Sequence, residues 1–247
     1  SQSHNLSVSG GNENTVYRAS VYYNNLNGIA LANEREQYGA RMSLQTKGFN
    51  DMLTFQSNLA TNYNNMNMLG NEGREAAARA NPTNPMYHPD GTFYEDMASD
   101  ENKYARLHQQ KNKRLQETTS LDAKVILEPL TDLKLSAFVS IQRDNYNNNV
   151  YYDKDSRVSV NSYNGDGYAY KSSYVNTQQA FEPTVEYTTV LSDRHKVNAV
   201  GGYSYRYRVE ESFDASNKGF LNDASQENDL GAGSYLVDGK AGMGSYK

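Results

Sequence analysis

The sequence predicts an all-β protein, part of a transmembrane antiparallel β-barrel, and three observations lead there. Long runs alternate apolar and polar residues with a period of two, the mark of a strand with one greasy and one wet face. Short and long connections between these runs alternate strictly. Several runs last about 12 to 15 residues, where soluble strands usually have about 5 to 6 and a tilted membrane strand needs about 9 to 11.

The pattern is clearest from Leu121 to Gln142. Leu133, Leu135, Ala137, Val139 and Ile141 alternate with Lys134, Ser136, Ser140 and Gln142; the arm before it sets Ala123, Val125 and Leu127 against Asp122, Lys124 and Glu128. Pro129, Leu130 and Thr131 join the two arms into a hairpin, and only Ile126 and Phe138 break the alternation. The preceding elements follow the same rule. After His4 to Ser9, a turn at residues 10–14 leads to a strand with Thr15, Tyr17, Ala19, Val21 and Tyr23 on one face. A strand from about Glu34 to Thr46 points Tyr38, Ala40, Met42 and Leu44 one way, and after a turn at 47–50 Leu53, Phe55, Leu59 and Tyr63 repeat the pattern.

Alternation stops over residues 64–113, where the alanines and charges of Glu72 to Ala80 predict a helical turn. A second long connection is expected at 147–173. The strand near Gln178 to Leu191 carries Phe181, Val185 and Tyr187, with Pro183 on its apolar face as an irregularity because proline lacks a ladder donor. A turn at 192–195 precedes Val197, Ala199, Gly201, Tyr203, Tyr205 and Tyr207. A third long loop, 211–234, and a partial strand follow. Every long connection thus lies at one end of about nine strands, the asymmetry of outer-membrane barrels. Tyrosines clustering towards strand ends fit an aromatic girdle.

Composition agrees. The 247 residues are only 37% hydrophobic, with a mean hydropathy of -0.86, yet they include 21 tyrosines. Poor core with many aromatics suits a wall whose inner face is wet better than a soluble globule or a disordered chain. A net charge of -5 with scattered Lys and Arg excludes a nucleic-acid footprint. Without cysteine there is no disulfide frame or thiolate metal site. No run reaches the roughly 18 apolar residues of a spanning helix. The first residue is not Met and both ends fall within alternating pattern, so a piece of a longer protein is expected.

Residues 4–44, HNLSVSGGNENTVYRASVYYNNLNGIALANEREQYGARMSL, resemble the start of the barrel in the SusC/RagA family of TonB-dependent transporters. The segment Asn81-Pro82-Thr83-Asn84-Pro85-Met86-Tyr87-His88-Pro89-Asp90-Gly91 is similar to that family's NPTxPxYxxDG element. The resemblance implies that residues 1–247 form roughly strands two to ten of a barrel of about 22, with the plug domain, TonB box and remaining strands absent. It implies import of oligosaccharides, or in some members peptides, across the outer membrane of a Bacteroidetes-type bacterium. The implied partners are a SusD-like surface lipoprotein as lid and the TonB complex. A passive porin-like channel and a secreted carbohydrate-binding β protein are the alternatives.

No enzyme chemistry is expected: His4, His88, His108 and His195 sit in unrelated settings without metal-ligand spacing. Asp153, Asp155 and Asp166 with Asn161 and Asn164 offer the hard oxygens that calcium takes, but their spacing fits no EF-hand, and a solvated acidic loop is the plainer reading. No cofactor is expected. Tyr87, His88, Asp90, Phe93 and Tyr94 combine aromatic and polar groups suited to stacking on sugars or docking a lid, or equally to packing their loop. Asp144 and Tyr146 are expected at the lumenal rim, and Arg18, Arg41, Arg206 and Arg208 on the lumenal face, towards plug or substrate. Gly165, Gly167, Gly201 and Gly202 are read as turn or close-packing glycines.

Overall fold

The computed structural model describes residues 1–69, 81–95, 102–191 and 195–246, with side chains as far as residue 234. The strands are β1 (Gln2–Gly11), β2 (Thr15–Asn27), β3 (Glu34–Gly48), β4 (Leu53–Asn67), β5 (Gln110–Leu130), β6 (Leu133–Tyr152), β7 (Tyr168–Leu191), β8 (His195–Gly202), β9 (Tyr205–Phe220) and β10 (Gly233–Tyr246). Among the described residues two short α-helices, α1 (Lys103–Gln109) and α2 (Arg157–Tyr163), lie in the long connections. All strands join one antiparallel sheet in chain order, a meander.

β8 and β9 pair with consecutive stretches of β7 and act as one pass of the chain, interrupted at Tyr203 and Ser204. The interruption faces Pro183. Tyr203 N donates to the Pro183 carbonyl at 3.0 Å, but the reciprocal bond is impossible because proline has no N–H. A proline in mid-strand thus opens a gap in one ladder without shifting its register.

The predicted faces hold across the sheet. Val8, Ala19, Met42, Leu59, Leu121 and Ile141 stand in one cross-strand row, and Tyr17, Leu44, Ala123, Val139 and Phe181 in the next. These side chains cover no protein core: Leu121, Val125, Val139 and Ile141 keep 42–46% of their surface exposed. In a water-soluble sandwich the same residues would be buried against a second sheet. Apart from Ile126, the buried hydrophobic residues among those described lie at the long-connection end: Leu69, Ala105, Tyr151, Ala169 and Phe220.

The apolar band climbs obliquely through the hydrogen-bonded rows. Its upper edge is Tyr23 on β2, but on β7 it is Phe181, whose row passes through Tyr17. That drift of six residues over five strand steps is ~20 Å against ~24 Å, a strand tilt of about 40°. The upper edge carries stacked rings, with Tyr38 and Tyr63 centroids 4.8 Å apart.

The strand ends joined by short links, from β1 to β2, β3 to β4, β5 to β6 and β7 to β8, lie at one edge, and those joined by long ones, from β2 to β3, β4 to β5, β6 to β7 and β9 to β10, at the other. The long ones are shorter than the sequence suggests. Residues 110–113, 147–152, 168–173 and 211–220, expected in loops, continue β5, β6, β7 and β9. Above the band both faces meet polar surroundings, so alternation disappears while ladder pairing persists. The helical turn expected at Glu72 to Ala80 lies outside the described residues.

Candidate functional site

The pleat that sends apolar residues outward sends their neighbours to the opposite, lumenal face, where a polar lattice crosses the strands. Tyr22 lies flat over Gly39, and its hydroxyl donates to Asn62 Oδ1 at 3.0 Å, two strands away. A Cβ at Gly39 would sit 2.7 Å from that hydroxyl, so the glycine makes room for the ring. Gln37 Nε2 donates to the same Asn62 oxygen at 2.8 Å, and Arg35 donates from Nε and a terminal nitrogen to Asn64 Oδ1 at 2.9 and 2.6 Å. Asn64 is 2% exposed, its desolvation offset by charge-assisted hydrogen bonds.

Higher on the same face Tyr146 and Tyr174 stack with centroids 4.8 Å apart, and the Arg114 guanidinium sits 4.9 Å from the centre of Tyr146. Arg114 Nε donates to Asn148 Oδ1 at 2.6 Å, and Asn148 Nδ2 donates to Ser172 Oγ at 2.8 Å. Cation–π and ring pairing contribute about 0.5–1.5 kcal/mol each, enough with these hydrogen bonds to hold the platform in one geometry. Two residues below, Asp144 accepts from Thr118 Oγ1 at 2.8 Å and Gln142 Nε2 at 2.9 Å.

Next to it on β7 and β9, Arg208 Nε donates to Asn176 Oδ1 at 3.0 Å and pairs with Glu210, while Arg206 meets Glu182 at 2.9 Å. The arrangement offers stacking surface, fixed cations and carboxylate acceptors along one wall, suited to holding a polar ligand without covalent chemistry.

All the predicted lumenal residues carry the lumenal parity. Asp144 and Tyr146 fall on β6 and Arg206 and Arg208 on β9, the two strands that flank β7; Arg41 stands 5.5 Å over the Tyr22 ring, and Arg18 lies in the row of Ser43 and Asn58, away from the platform. Arg35, Arg114, Tyr174 and Glu182 belong to the lattice although sequence reasoning passed over them. For Arg114 and Tyr174 the signal was parity with Asp144 and Tyr146 once the strands are extended above the band, while Arg35 and Glu182 already lay on the polar parity of the expected strands. Phe138 and Ile126, the two exceptions to alternation, carry the lumenal parity too. Phe138 lines a lumenal cavity of about 390 Å³ with Glu182 and Arg206.

The loop residues divide. A small hairpin is closed by Tyr94 N to the Met86 carbonyl at 3.0 Å and His88 N to the Thr92 carbonyl at 2.8 Å. Its tip is fixed by Asp90 Oδ1, which accepts from Thr92 N and Oγ1 and holds the Asp90 carboxyl below its ordinary range, with Gly91 at φ +85°. Tyr87 stacks on Phe93 at 5.2 Å, and both rings edge against Tyr104 of α1, with His108 on Phe93 at 5.6 Å. These rings pack their own loop; His88 and Tyr94 form a separate pair at 5.0 Å.

Asn102 ties the hairpin to α1. Its Oδ1 caps the helix by accepting from Tyr104 N and Ala105 N, and its Nδ2 donates to the Met86 and Tyr94 carbonyls. Among the described residues no three His, Asp or Glu side chains gather as a metal site. Asp153 is pushed up to about 6 by burial, and then by the charges of Asp223 and Asp155. Gly165 and Gly167 take the positive φ of turn glycines, and Gly202 packs under the Pro183 carbonyl; Gly201, expected in close packing, faces open space.

No protein-family model matches the chain. A curated relative, the TonB-dependent receptor P26 of Formosa agariphila, is 25% identical over 231 residues, 91% of this chain and 23% of that protein. The RagAB peptide transporter structure superposes at a TM-score of 0.81 with 19% identity over 98% of this chain and 28% of its own. The ferripyoverdine receptor of Pseudomonas aeruginosa gives 0.57 with 11% identity, covering 31% of that receptor. The chain therefore spans between a fifth and a third of these proteins' lengths. With its apolar band turned outward and its long connections at one rim, this chain is outer-membrane β-barrel wall, built as in the SusC/RagA-type TonB-dependent transporters it resembles.

Proposed function

We propose that the chain serves in TonB-dependent import of a large polar nutrient, with its lumenal face as part of the path. The observation that carries this is the platform of Arg114, Tyr146 and Tyr174 beside Asp144, held rigid above the level of the membrane band. Flat rings bind sugar faces or peptide side chains, and the cation and carboxylate orient either by hydrogen bonds. Oligosaccharides are the first candidate and peptides the second, the latter favoured by the likeness to a peptide transporter.

On this reading residues 1–247 supply strands two to ten, and a plug, a TonB box and the other strands lie elsewhere in the working protein. A SusD-like lipoprotein closes the rim as a lid. The exposed Tyr87, His88 and Asp90 meet it, while Phe93 holds their loop together from within.

The test is uptake by cells carrying the full-length protein. Loss of uptake on removing TonB, and a fall of about tenfold in substrate affinity for Tyr146→Ala with Tyr174→Ala, are expected, since two stacking contacts contribute about 1–2 kcal/mol together. Uptake that persists without TonB would mark a passive porin-like channel. Unchanged affinity in the double variant would move the binding site away from this wall.

A further inference from the structure

The connection 221–232 folds back over the outside of the wall. The outward parity runs without a register break from the apolar band of β6, β7 and β9 up to Tyr151, Ala169 and Asn217, and these are what the connection covers. Tyr151 and Ala169 are fully buried, with Phe220 and Leu230 packed on them. The Tyr151 hydroxyl donates to Asp223 at 2.7 Å, and Asn217 Nδ2 donates to the Leu230 carbonyl at 2.7 Å. The result is an overhang on the outer face.

Beneath it lies a cavity of about 680 Å³. Its floor is the two rows that begin at Lys113 and Leu115, with Lys171, Asn147 and Asn149 on them, and its roof includes Glu227. Lys111 is paired with Glu227. Lys113 and Lys171 have no ion-pair partner among the described residues, although the chain as a whole is acidic at -5. Glu227 is 3% exposed, and its Oε2 has no hydrogen-bond partner among the described residues.

Two uncompensated ammonium groups, side-chain amides and one buried acceptor in need of a donor complement an anion carried on a polyhydroxyl frame. The anion would meet the lysines, and a hydroxyl would donate to Glu227.

Position narrows the source. Leu115 lies six residues along β5 from Leu121 of the apolar band, ~20 Å of strand and about 15 Å of height at the tilt derived above. The polar layer of an ordinary phospholipid adds only about 5–8 Å on each side of the hydrocarbon. A lipid reaching this cavity must carry sugars.

We propose that the cavity under the overhang binds the phosphorylated or carboxylated saccharide headgroup of an outer-leaflet glycolipid, in chemical class a lipopolysaccharide, docked against the outside of the wall. The site is separate from the lumenal platform and does not depend on the transported nutrient.

The full-length protein, purified in detergent from outer membranes, is compared with K113Q/K171Q for co-purifying lipopolysaccharide by native mass spectrometry, with K134Q at the opposite rim as control. Binding of purified lipopolysaccharide, its dephosphorylated form and inorganic phosphate is then titrated. The expected result is about 30-fold weaker lipopolysaccharide binding in the double variant, from two lost surface lysines, with the control unchanged. Heat-resistant migration in SDS confirms that each variant is folded. Equal retention by wild type and double variant would overturn the proposal. So would displacement by millimolar inorganic phosphate alone, which would make the cavity a free-anion site. A change of oligomeric state in the double variant at constant bound lipid would likewise overturn it, by making this face a contact between copies.

Discussion

Val139→Arg and Ser140→Arg place the same side chain at adjacent positions of β6 on opposite faces, and the fold predicts very different costs. Val139 projects outward between Ala123 of β5 and Phe181 of β7, two residues from Ala137 at the middle of the β6 band from Leu133 to Ile141. At a tilt of about 40° those two residues are ~5 Å of height, so Val139 lies near the bilayer midplane. Arginine there costs about 2–3 kcal/mol, within the range for lipid-facing barrel positions, or roughly 30- to 150-fold in the folding equilibrium. Ser140 faces the lumen across from Asp122 and Ala180, where water and a carboxylate receive the guanidinium, and the cost stays within about 0.5 kcal/mol. The assay is urea titration of the full-length protein folded into phospholipid vesicles, followed by tyrosine fluorescence and heat-modifiable mobility. Equal penalties, or a larger one at Ser140, would refute the assignment of faces.

Further outcomes follow from the same geometry. Gly39→Ala lowers the thermal stability of the folded barrel, and Tyr22→Ala does not restore it, because the added Cβ would also lie 2.3 Å from the Thr61 carbonyl oxygen, which belongs to the backbone; rescue by Tyr22→Ala in a melting experiment would contradict this. Asn102→Ala removes a helix cap and two bonds to the 86–94 hairpin; the cap alone contributes about 1 kcal/mol, and amide exchange over residues 86–94 should speed several-fold while that of β6 does not. The carboxyl of Asp153, raised to about 6 in the folded loop against the ordinary 3.8, binds more protons folded than unfolded. Its contribution therefore favours the packed apex at acid pH and is lost as pH rises through about 4 to 6. Exchange at residues 220–223, corrected for intrinsic rate, should quicken over that window and lose the dependence in Asp153→Asn.

The faces of the membrane strands were legible because lipid and water impose opposite demands on neighbouring residues, so Leu121 to Gln142 writes its orientation in hydropathy alone. Even the two exceptions told something: Phe138 and Ile126 are apolar residues on the lumenal parity. Above the band that contrast vanishes. Asn147 to Asn149 is polar throughout and reads as loop, yet it pairs continuously with β5 and β7. Arg114 and Tyr174 fell in those extensions and stayed hidden, whereas Asp144 and Tyr146 lay near enough to a clear strand to be assigned a face. Helix α2 left a fainter trace, Ser156 as its cap and Asn164 with Gly165 as its stop. The overhang at 221–232 left no trace, since a loop's direction of folding depends on tertiary partners such as Tyr151 and Ala169.

The most direct measurement is site-directed spin labelling of single cysteines at consecutive positions from Ser136 to Gln142, in the full-length protein in vesicles without other cysteines. Oxygen accessibility should peak at Ala137, Val139 and Ile141, and accessibility to a water-soluble nickel chelate at Ser136, Ser140 and Gln142, a clean two-residue alternation out of phase. A flat profile, or nickel reaching Val139 while oxygen peaks at Ser140, would contradict a wall with lipid on one side and water on the other.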